Sequence, residues 1–265
     1  SLAAALEEGA DFESALKARA DRLTTRGIWF QGVYPIRMNW RQRAECELRA
    51  RNDGALRLME DGVRIMDPNS VYVGPQVTVG AGSFLLPGTI LRGKTTIGGA
   101  CEIGPNAMIR DCVIGERVTI NASQLNESTV EAGTRIGPFA YVRPNCHVGR
   151  DVKVGDFVEL KNSTIGEGTK ISHLTYVGDS DVGSRVNFGC GTVTVNYDGI
   201  TKYRTTIGDN AFIGCNTNLV APVKIGDGAY TAAGSTITDD VPGDSLAIAR
   251  SVQVVKKQWA AKRRS

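Results

Sequence analysis

The stretch VGRDVKVGDFVELKNSTIG, residues 148–166, places a glycine directly after a Val or Ile three times. The same pairing, once with Phe, returns along most of the chain: Val79–Gly80, Ile97–Gly98, Ile103–Gly104, Ile114–Gly115, Ile136–Gly137, Val177–Gly178, Val182–Gly183, Phe188–Gly189, Ile207–Gly208, Ile213–Gly214 and Ile225–Gly226. Many of the intervals are 6, 12 or 18 residues. That period is the signature of hexapeptide repeats in a β-helix.

The six-residue spacing has a physical explanation. Each repeat supplies one short strand and one turn, so the apolar residue points inward and stacks on its equivalents in neighbouring coils. The glycine takes the tight corner, where a side chain is costly. Because three repeats make a coil of about 18 residues, residues 70–240 are predicted to form roughly nine or ten coils. The predicted fold class is an all-β solenoid preceded by an α-helical segment.

A change of composition near residue 64 divides the chain. Residues 1–64 are rich in Ala, Arg, Glu and Leu at helical spacing and are predicted to form a helical N-terminal segment or linker. Gly27–Ile28 and Tyr34–Pro35 are expected to break it into two helices. Residues 65–240 are predicted to be the β-helix domain, and residues 241–265 a C-terminal extension with a basic tail.

The overall composition of the chain argues against several classes of protein: nucleic-acid-binding, membrane, secreted and zinc proteins. With 31 basic and 28 acidic residues, the net charge of +3 gives no case for nucleic-acid binding over the whole surface. The basic cluster KKQWAAKRRS, residues 256–265, is interpreted as a solvated end, the alternative being a tail that contacts phosphates. No apolar run approaches the roughly 20 residues that span a bilayer. The opening SLAAALEEGADFE lacks a secretory pattern, and the six cysteines form no zinc motif. We therefore expect a cytoplasmic protein without a metal, nucleic-acid or membrane partner.

The largest late break in the repeat lies between Phe188 and Ile207. It contains TVTVNYDGITKYRT, residues 192–205, which is polar and carries two basic residues. An insertion of this kind projects from the wall of a solenoid, and insertions often lie on the binding face. We therefore predict a functional loop here.

Irregular polar residues gather between residues 140 and 205: Arg143, Lys161, His173, Tyr176, Asn187, Asn196, Tyr197 and Lys202. Arg143 and Lys161 are 18 positions apart and are predicted to stack in successive coils on one face. Two stacked cations suit a phosphate group. The alternative, two solvated basic residues, remains open at this point.

The stretch SHLTYVGDSDVG, residues 172–183, holds His173, one of only two histidines. An imidazole can accept a proton from an amine or hydroxyl nucleophile near neutral pH. The alternative is a structural or merely exposed histidine. The nearby cations favour the base, and Glu159 is expected to orient the ring. His147 directly precedes a Val–Gly corner and is interpreted as an outward turn residue.

Two cysteines also lie beside repeat corners, Cys190 in FGCG and Cys215 in IGCN. One interpretation is a nucleophilic thiol. The other is a small residue near a turn, and this is favoured because no histidine lies near either cysteine in sequence.

Six segments together resemble a known family: YVRP, FVELK, SHLTYVGDSDVG, VNFGCGTVTVNYDG, LVAPVKIGDGAYTAAGSTIT and LAIAR. They are similar to the acetyltransferase half of the bacterial bifunctional glucosamine-1-phosphate acetyltransferase/N-acetylglucosamine-1-phosphate uridyltransferase. The resemblance runs from about residue 60 to about residue 253 and is most specific over 138–250. Residues 39–62 also resemble the linker helix that joins the two halves of that family.

The resemblance implies a left-handed parallel β-helix that forms a homotrimer, with active sites between subunits. It implies a cytoplasmic enzyme that transfers an acetyl group from acetyl-CoA to glucosamine 1-phosphate, supplying UDP-N-acetylglucosamine and cell-wall precursors. His173 takes the position of the general base. The residues implied in sugar binding are Arg143, Lys161 and Lys202 at the phosphate, with Tyr176 and Asn187 at the sugar. The residues implied at the acetyl-CoA site are Cys190, Asn196, Tyr197, Cys215, Ala233 and Arg250.

Departures from the family pattern limit these expectations. SLAAALEEG lacks the glycine pair and the arginine of the family's phosphate loop, so uridyl transfer, UTP and its magnesium are not expected. Alternatives on the same scaffold are an acetyltransferase for another amino sugar or a sugar hydroxyl, a metal hydratase, and a non-catalytic trimeric scaffold. Three phosphate-site cations argue against an acceptor without phosphate, and two histidines cannot easily supply the three ligands of a hydratase.

Overall fold

A computed structural model describes residues 39–264, and the first helix expected from the sequence lies outside these residues. Two units are distinguished, residues 1–47 and 48–265. The described part of the first is the beginning of helix α1 (Trp40–Glu60). In the second unit, α1 continues through Gly54 and buries Ala55 and Leu58. The helix predicted over the linker segment is therefore confirmed.

The second unit is built from short parallel strands, numbered β1–β30 in chain order, in three sheets. Sheet I has eleven strands: β1 (Arg64–Ile65), β4 (Phe84–Leu85), β7 (Glu102–Ile103), β10 (Thr119–Ile120), β13 (Arg135–Ile136), β16 (Lys153–Asp156), β19 (Lys170–His173), β22 (Asn187–Phe188), β25 (Phe212–Ile213), β28 (Tyr230–Thr231) and β30 (Leu246–Ala247). Sheet II has ten: β2 (Tyr72–Val73), β5 (Ile90–Arg92), β8 (Met108–Arg110), β11 (Gln124–Asn126), β14 (Tyr141–Val142), β17 (Glu159–Lys161), β20 (Tyr176–Gly178), β23 (Val193–Val195), β26 (Asn218–Val220) and β29 (Thr236–Ile237). Sheet III has nine: β3 (Thr78–Val79), β6 (Thr96–Ile97), β9 (Val113–Ile114), β12 (Thr129–Val130), β15 (His147–Val148), β18 (Thr164–Ile165), β21 (Ser180–Val182), β24 (Thr205–Ile207) and β27 (Val223–Ile225).

Each strand pairs with its equivalent in the coil before and the coil after. Val154 lies opposite Ile171, and Ile171 lies opposite Phe188, so one inward ladder runs along sheet I. Equivalent positions are 18 residues apart in some coils, as for Arg135 and Lys153, and 17 in others, as for Asp156 and His173. The predicted parallel β-solenoid and its nine or ten coils are confirmed.

The core is the stack of inward residues. Its largest fully buried side chains are Leu58, Leu85, Leu91, Ile103, Ile109, Ile120, Leu125, Ile136, Leu160, Ile165, Ile171 and Ile207. Burying one such side chain stabilises a fold by about 1.5–3 kcal/mol. The repeated Val or Ile is therefore the main source of stability in each coil.

The glycine of the repeat lies where coils approach most closely. A Cβ added to Gly155 would overlap the backbone carbonyl oxygen of Ser172 in the next coil. Gly166 faces Gly183 in the same way, one corner glycine above another. The sequence-based explanation of the Val–Gly pair is therefore confirmed.

The predicted insertion is also present. The chain leaves the wall after β23 and returns at β24, and an antiparallel bridge joins Tyr197 to Lys202. We call residues 196–204 the insertion loop. The ends of the predicted segment, residues 192–195 and 205, belong to the wall.

Beyond residue 240 the wall continues to β30, which pairs with β28. After β30 the chain has no regular structure until helix α2 (Trp259–Arg264), in which the Arg263 guanidinium lies 5.0 Å from the centre of the Trp259 ring. Within residues 39–264, no helix is long and apolar enough to cross a membrane. The division of the chain into domains stays a prediction.

Candidate functional site

His173 lies at the corner between sheets I and II, at the end of β19. Asp156 ends β16 in the preceding coil, directly opposite His173 in the register. The Nδ1 atom of His173 is 2.6 Å from Oδ1 of Asp156, while more than half of the histidine side chain stays exposed. The expectation that Glu159 orients this ring is therefore wrong. Asp156 does so, because the coil here is 17 residues long.

The pairing fixes the chemistry of the imidazole. An ionised carboxylate can only accept hydrogen bonds, so Nδ1 carries the proton and Nε2 presents its lone pair. The contact with His173 is the main reason that the pKa of Asp156 is lowered, so the carboxylate stays ionised. In the neutral ring Nε2 has no hydrogen-bond partner among the described residues, and a general base needs such a free nitrogen.

Glu159 has a different partner. Its Oε1 lies 2.9 Å from Nη1 of Arg143, and this hydrogen bond raises the pKa of the guanidinium. Glu159 also lies opposite Tyr141 and Tyr176 on sheet II. Its carboxylate therefore orients a cation of the predicted phosphate site.

The stacking of Arg143 and Lys161 is confirmed. Tyr141 and Val142 lie opposite Glu159 and Leu160, so the next residue of each coil continues the column along sheet II. Lys161 is mostly buried, and its Nζ lies 3.2 Å from Oδ2 of Asp179. These are therefore not two freely solvated cations, since each is held by a carboxylate.

Asp179 is the buried centre of this region, with its side chain 7% exposed. Its carboxylate accepts hydrogen bonds from Nδ2 of Asn162 at 2.6 Å and from Nδ2 of Asn196. Burial would raise the pKa of Asp179, but Asn162, Lys161 and Asn196 outweigh it and lower the pKa. Likewise, burial would lower the pKa of Lys161, but the contact with the Asp179 carboxylate outweighs burial and the pKa is raised.

The insertion loop contributes to the same region. Nδ2 of Asn196 donates to the Tyr176 hydroxyl at 3.4 Å, and Gly178 leaves the space that this hydroxyl occupies. Lys202 lies beside Lys161, and the contact with this second ammonium lowers the pKa of Lys202. Within one chain, the loop thus places Lys202 next to the stacked cations.

Tyr197 and Asn187 are placed differently. Tyr197 is exposed on the insertion loop, and its hydroxyl donates to the backbone oxygen of Gly199 at 2.6 Å. Asn187 lies on sheet I, opposite Lys170 and Phe212. A single chain therefore does not bring Asn187 to the residues of sheet II.

The predicted acetyl-CoA residues Cys190, Cys215 and Ala233 lie on one corner. They follow His173 in successive coils, at the corner between sheets I and II. Backbone hydrogen bonds connect these coils: the N–H of Asn216 donates to the carbonyl oxygen of Cys190, and the N–H of Gly234 to that of Cys215, both at 2.8 Å. Cys190 is half-buried and Cys215 is exposed. We call the line of His173, Cys190, Cys215 and Ala233 the corner column. Arg250 ends it, because its Cδ is the nearest atom to a Cβ placed on Gly234.

The other histidine is remote from this set. His147 is exposed on sheet III, in strand β15 rather than in a turn, and its Nε2 lies 3.0 Å from Oε1 of Glu131. The outward orientation was predicted correctly and the turn was not. In the part of the chain that the structure describes, no group of three or more His, Cys, Asp and Glu residues is placed to hold a metal ion.

Asp156 and Asp179 are the two site residues that sequence reasoning missed. The sequence does mark both residues. Each aspartate directly follows the glycine of a Val–Gly pair, in VGDF and in VGDS, and predicted site residues lie close by. The signal is weak, since Asp209 and Asp227 also follow repeat glycines.

Comparison with known proteins agrees with the fold. The family of bacterial transferase hexapeptide repeats (six repeats) matches residues 127–162 and 204–239. The bifunctional protein GlmU of Clostridium kluyveri is 52% identical over 222 residues, which are 84% of this chain and 49% of that protein. GlmU of Clostridium acetobutylicum is 54% identical over 205 residues, 77% of this chain and 45% of that protein.

Among solved structures, a mutant of the GDP-perosamine N-acetyltransferase of Caulobacter crescentus, in complex with CoA and GDP-perosamine, matches with a TM-score of 0.39. The identity is 26%, over 43% of this chain and 52% of that one. The chain spans about half the length of the curated relatives it matches. The resemblance read from the motifs is confirmed: over most of its length the chain is similar to bacterial GlmU proteins, and its hexapeptide repeats fit their C-terminal acetyltransferase domain.

Proposed function

We propose that this chain is a sugar N-acetyltransferase that moves an acetyl group from acetyl-CoA to the amine of glucosamine 1-phosphate. The observation that carries the proposal is the layout of sheet II. The His173–Asp156 pair lies at one edge of the sheet, and three cations lie along the other: Arg143, Lys161 and Lys202. A base at one end and a phosphate site at the other suit an amino sugar phosphate lying across the sheet.

The reaction is a direct transfer. The amine arrives largely as an ammonium ion and gives a proton to Nε2 of His173. The nitrogen lone pair then forms a bond to the thioester carbonyl carbon, and the tetrahedral intermediate collapses with loss of the C–S bond. The sulfur leaves with the bonding electrons and takes up the second proton that the nitrogen loses, giving free CoA and N-acetylglucosamine 1-phosphate.

Two features lower the barrier. Asp156 holds the imidazole in the required tautomer and stabilises the imidazolium that forms, as a carboxylate does beside a catalytic histidine. We assign oxyanion stabilisation to a backbone N–H near Cys190, the next residue of the corner column. Holding the phosphate at three cations converts an encounter into an oriented reaction.

The acetyl-CoA site is assigned to the corner column beyond His173, with Cys190, Cys215, Ala233 and Arg250. This placement puts the thioester next to the base and lets the rest of the cofactor run along the solenoid. Asn196 and Tyr197 complete the site from the insertion loop. Cys190 and Cys215 act as small residues and not as nucleophiles, since the mechanism is direct.

The assembly is proposed as a cytoplasmic homotrimer with each site between two subunits. The placement of Asn187 supports it, because this residue lies on sheet I while the other sugar residues lie on sheet II. Asn187 of one copy would then face sheet II of its neighbour. The product would supply UDP-N-acetylglucosamine for cell-wall precursors.

The test is acetyl transfer to glucosamine 1-phosphate, followed as free CoA, for the wild type, His173→Ala and His147→Ala. His147 is the matched control, since it is also exposed and also pairs with a carboxylate. We expect loss of roughly two to four orders of magnitude for His173→Ala alone, with the fold retained. Equal activity in all three proteins would remove His173 from the mechanism. Turnover only on unphosphorylated amino sugars would favour the other acetyltransferase activity.

A further inference from the structure

The insertion loop is attached at both ends to carboxylates of the coil before it. At its beginning, Nδ2 of Asn196 donates to Oδ2 of Asp179. At its end, Nε and Nη2 of Arg204 donate to the two carboxylate oxygens of Asp181 at 2.8 and 2.5 Å. The two aspartates flank Ser180, so one short segment of the wall holds both ends of the loop.

Asp179 is suited to this contact because three donors converge on it. Lys161, Asn162 and Asn196 all point a nitrogen at the one buried carboxylate. Only an ionised carboxylate offers acceptors to all three, whereas an amide would turn its own NH₂ group towards one of them. The chemistry therefore requires an acid at this position for the loop to stay attached.

Asp181 forms the second attachment in a different way. It is half-exposed and pairs with Arg204 in a two-point contact, which raises the pKa of that guanidinium. Nη1 of Arg204 also donates to the backbone oxygen of Asn162 at 3.3 Å. Arg204 thus joins the end of the loop to two earlier coils.

The attachments act against a repulsion. Lys202 pairs with Tyr197, the neighbour of Asn196, and Asn196 and Lys161 both donate to the Asp179 carboxylate. Lys202 is thereby brought near Lys161, and two neighbouring ammonium groups repel each other. A loop held by its backbone alone would relieve this by moving Lys202 outward. Asp179 and Asp181 keep the two ammonium groups together, which prepares the site for an anion with more than one charge.

We propose that Asp179 and Asp181 are positioning residues that anchor the insertion loop and so hold Lys202 against Lys161 as a preformed site for the phosphate of the acceptor. Neither aspartate needs to touch substrate. The phosphate part of this inference rests on the proposed function, whereas the anchoring part does not.

The experiment compares wild type, Asp181→Asn, Asp179→Asn and the charge swap that combines Asp181→Arg with Arg204→Asp. Two quantities are measured for each: the rate of trypsin cleavage after Lys202, followed by mass spectrometry, and the KM for glucosamine 1-phosphate. The first reports anchoring without any assay of activity.

For Asp181→Asn we expect faster cleavage and a KM raised roughly two- to fivefold, the scale of an exposed ion pair. For Asp179→Asn the rise is about tenfold or more, since hydrogen bonds to a buried charge are lost. The kcat stays close to wild type in both. The charge swap returns cleavage and KM towards wild-type values, which a merely structural role of either residue would not produce.

The control is Glu127→Gln. Glu127 occupies the same kind of corner, with positive φ, in an earlier coil, and it also pairs with an arginine, Arg110, at 2.8 Å. We expect neither cleavage nor KM to change. If Asp179→Asn does not fold, Asn162→Gly removes one donor while tolerating the positive φ at that position, and a smaller change in the same direction is expected.

Unchanged cleavage in all the Asp179 and Asp181 variants would overturn the proposal. So would faster cleavage with an unaltered KM, since Lys202 would then not act through the anchored loop. A wild type that fails to acetylate glucosamine 1-phosphate would overturn the proposed function and the phosphate role, and the trypsin result would still decide whether the aspartates anchor the loop.

Discussion

His173 and Asp156 are 17 residues apart in sequence and meet at 2.6 Å because one coil of the solenoid separates them. Each ends a strand of sheet I at the same corner. The proposed base and the carboxylate that orients it therefore come from stacked copies of one structural unit, and neither depends on a loop for its position.

Asp156→Asn tests this relationship. The amide can offer its NH₂ group to Nδ1, which favours the tautomer with the proton on Nε2 and removes the base. We expect kcat to fall roughly tenfold to a thousandfold with KM little changed. Kinetics of acetyl transfer with both substrates varied would measure it.

Glu159→Gln is the matched variant for that experiment. It removes the partner of Arg143 and leaves the His173–Asp156 pair in place. We expect KM for the acceptor to rise with kcat nearly retained. If Glu159→Gln were the variant that loses kcat, the assignment of Asp156 as the orienting residue would be wrong.

The sequence predicted the solenoid, and the stacking of two residues of the candidate site, because both depend on a period. A repeat of Val–Gly pairs identifies inward residues and corners, and two cations 18 apart must stack when the coil has that length. The stacking of Arg143 and Lys161 on one face followed from arithmetic alone. The insertion loop was visible as a break in the period.

The sequence failed to predict site residues where the coil length changes or where the insertion loop packs on the wall. Coil length varies from one coil to the next, 18 residues from Arg135 to Lys153 and 17 from Lys153 to Lys170. The residue below His173 could therefore not be identified without the register, and Glu159 was chosen in place of Asp156. The burial of Asp179 depends on the insertion loop folding back over it, which no local pattern encodes. Such contacts belong to tertiary structure and are set by packing between coils.

Gly155→Ala tests the close approach of the coils that carry His173, the proposed base, and Asp156. The added Cβ would overlap the carbonyl oxygen of Ser172, which is backbone and cannot rotate away. Overpacking of this kind costs about 1–3 kcal/mol of unfolding free energy. Thermal or denaturant unfolding would measure the loss. Because Asp156 and His173 adjoin the two residues in contact, kcat is expected to fall as well.

Gly74→Ala is the control for this prediction. A Cβ at Gly74 would meet its nearest neighbour at 3.4 Å, an ordinary contact. We expect the free energy of unfolding to change by less than about 0.5 kcal/mol. Equal effects of the two substitutions would show that the spacing of coils at Gly155 is not tighter than elsewhere.

Lys202 should titrate below the ordinary lysine value of 10.5, chiefly because of its contact with Lys161. A lowered pKa means that the cation is lost at a lower pH. Since only the protonated lysine attracts a phosphate, KM for the phosphorylated acceptor should rise with pH before ordinary lysines deprotonate. An NMR titration of the Lys202 side chain gives the pKa directly. In Lys161→Met it should move up, and a Lys202 titration that Lys161→Met leaves unaltered would contradict the contact.

Thiol alkylation tests the corner column as the acetyl-CoA site. Cys190 and Cys215 are the accessible thiols of the solenoid, whereas Cys101, Cys112 and Cys146 are buried. Burial raises the pKa of the Cys112 thiol to about 11, so it stays protonated and unreactive at neutral pH. Iodoacetamide should therefore modify Cys190 and Cys215 first, as read site by site by mass spectrometry.

Added CoA should slow the alkylation of Cys190 and Cys215 together, because the two residues lie in neighbouring coils of one column. Cys112, measured in the same digests, controls for global unfolding, since it reacts only when the core opens. If CoA protects both thiols while Cys112 remains unalkylated, the result would support a cofactor that runs along this corner. Rates at Cys190 and Cys215 that CoA leaves unchanged would place the cofactor elsewhere, even if acetyl transfer itself were observed.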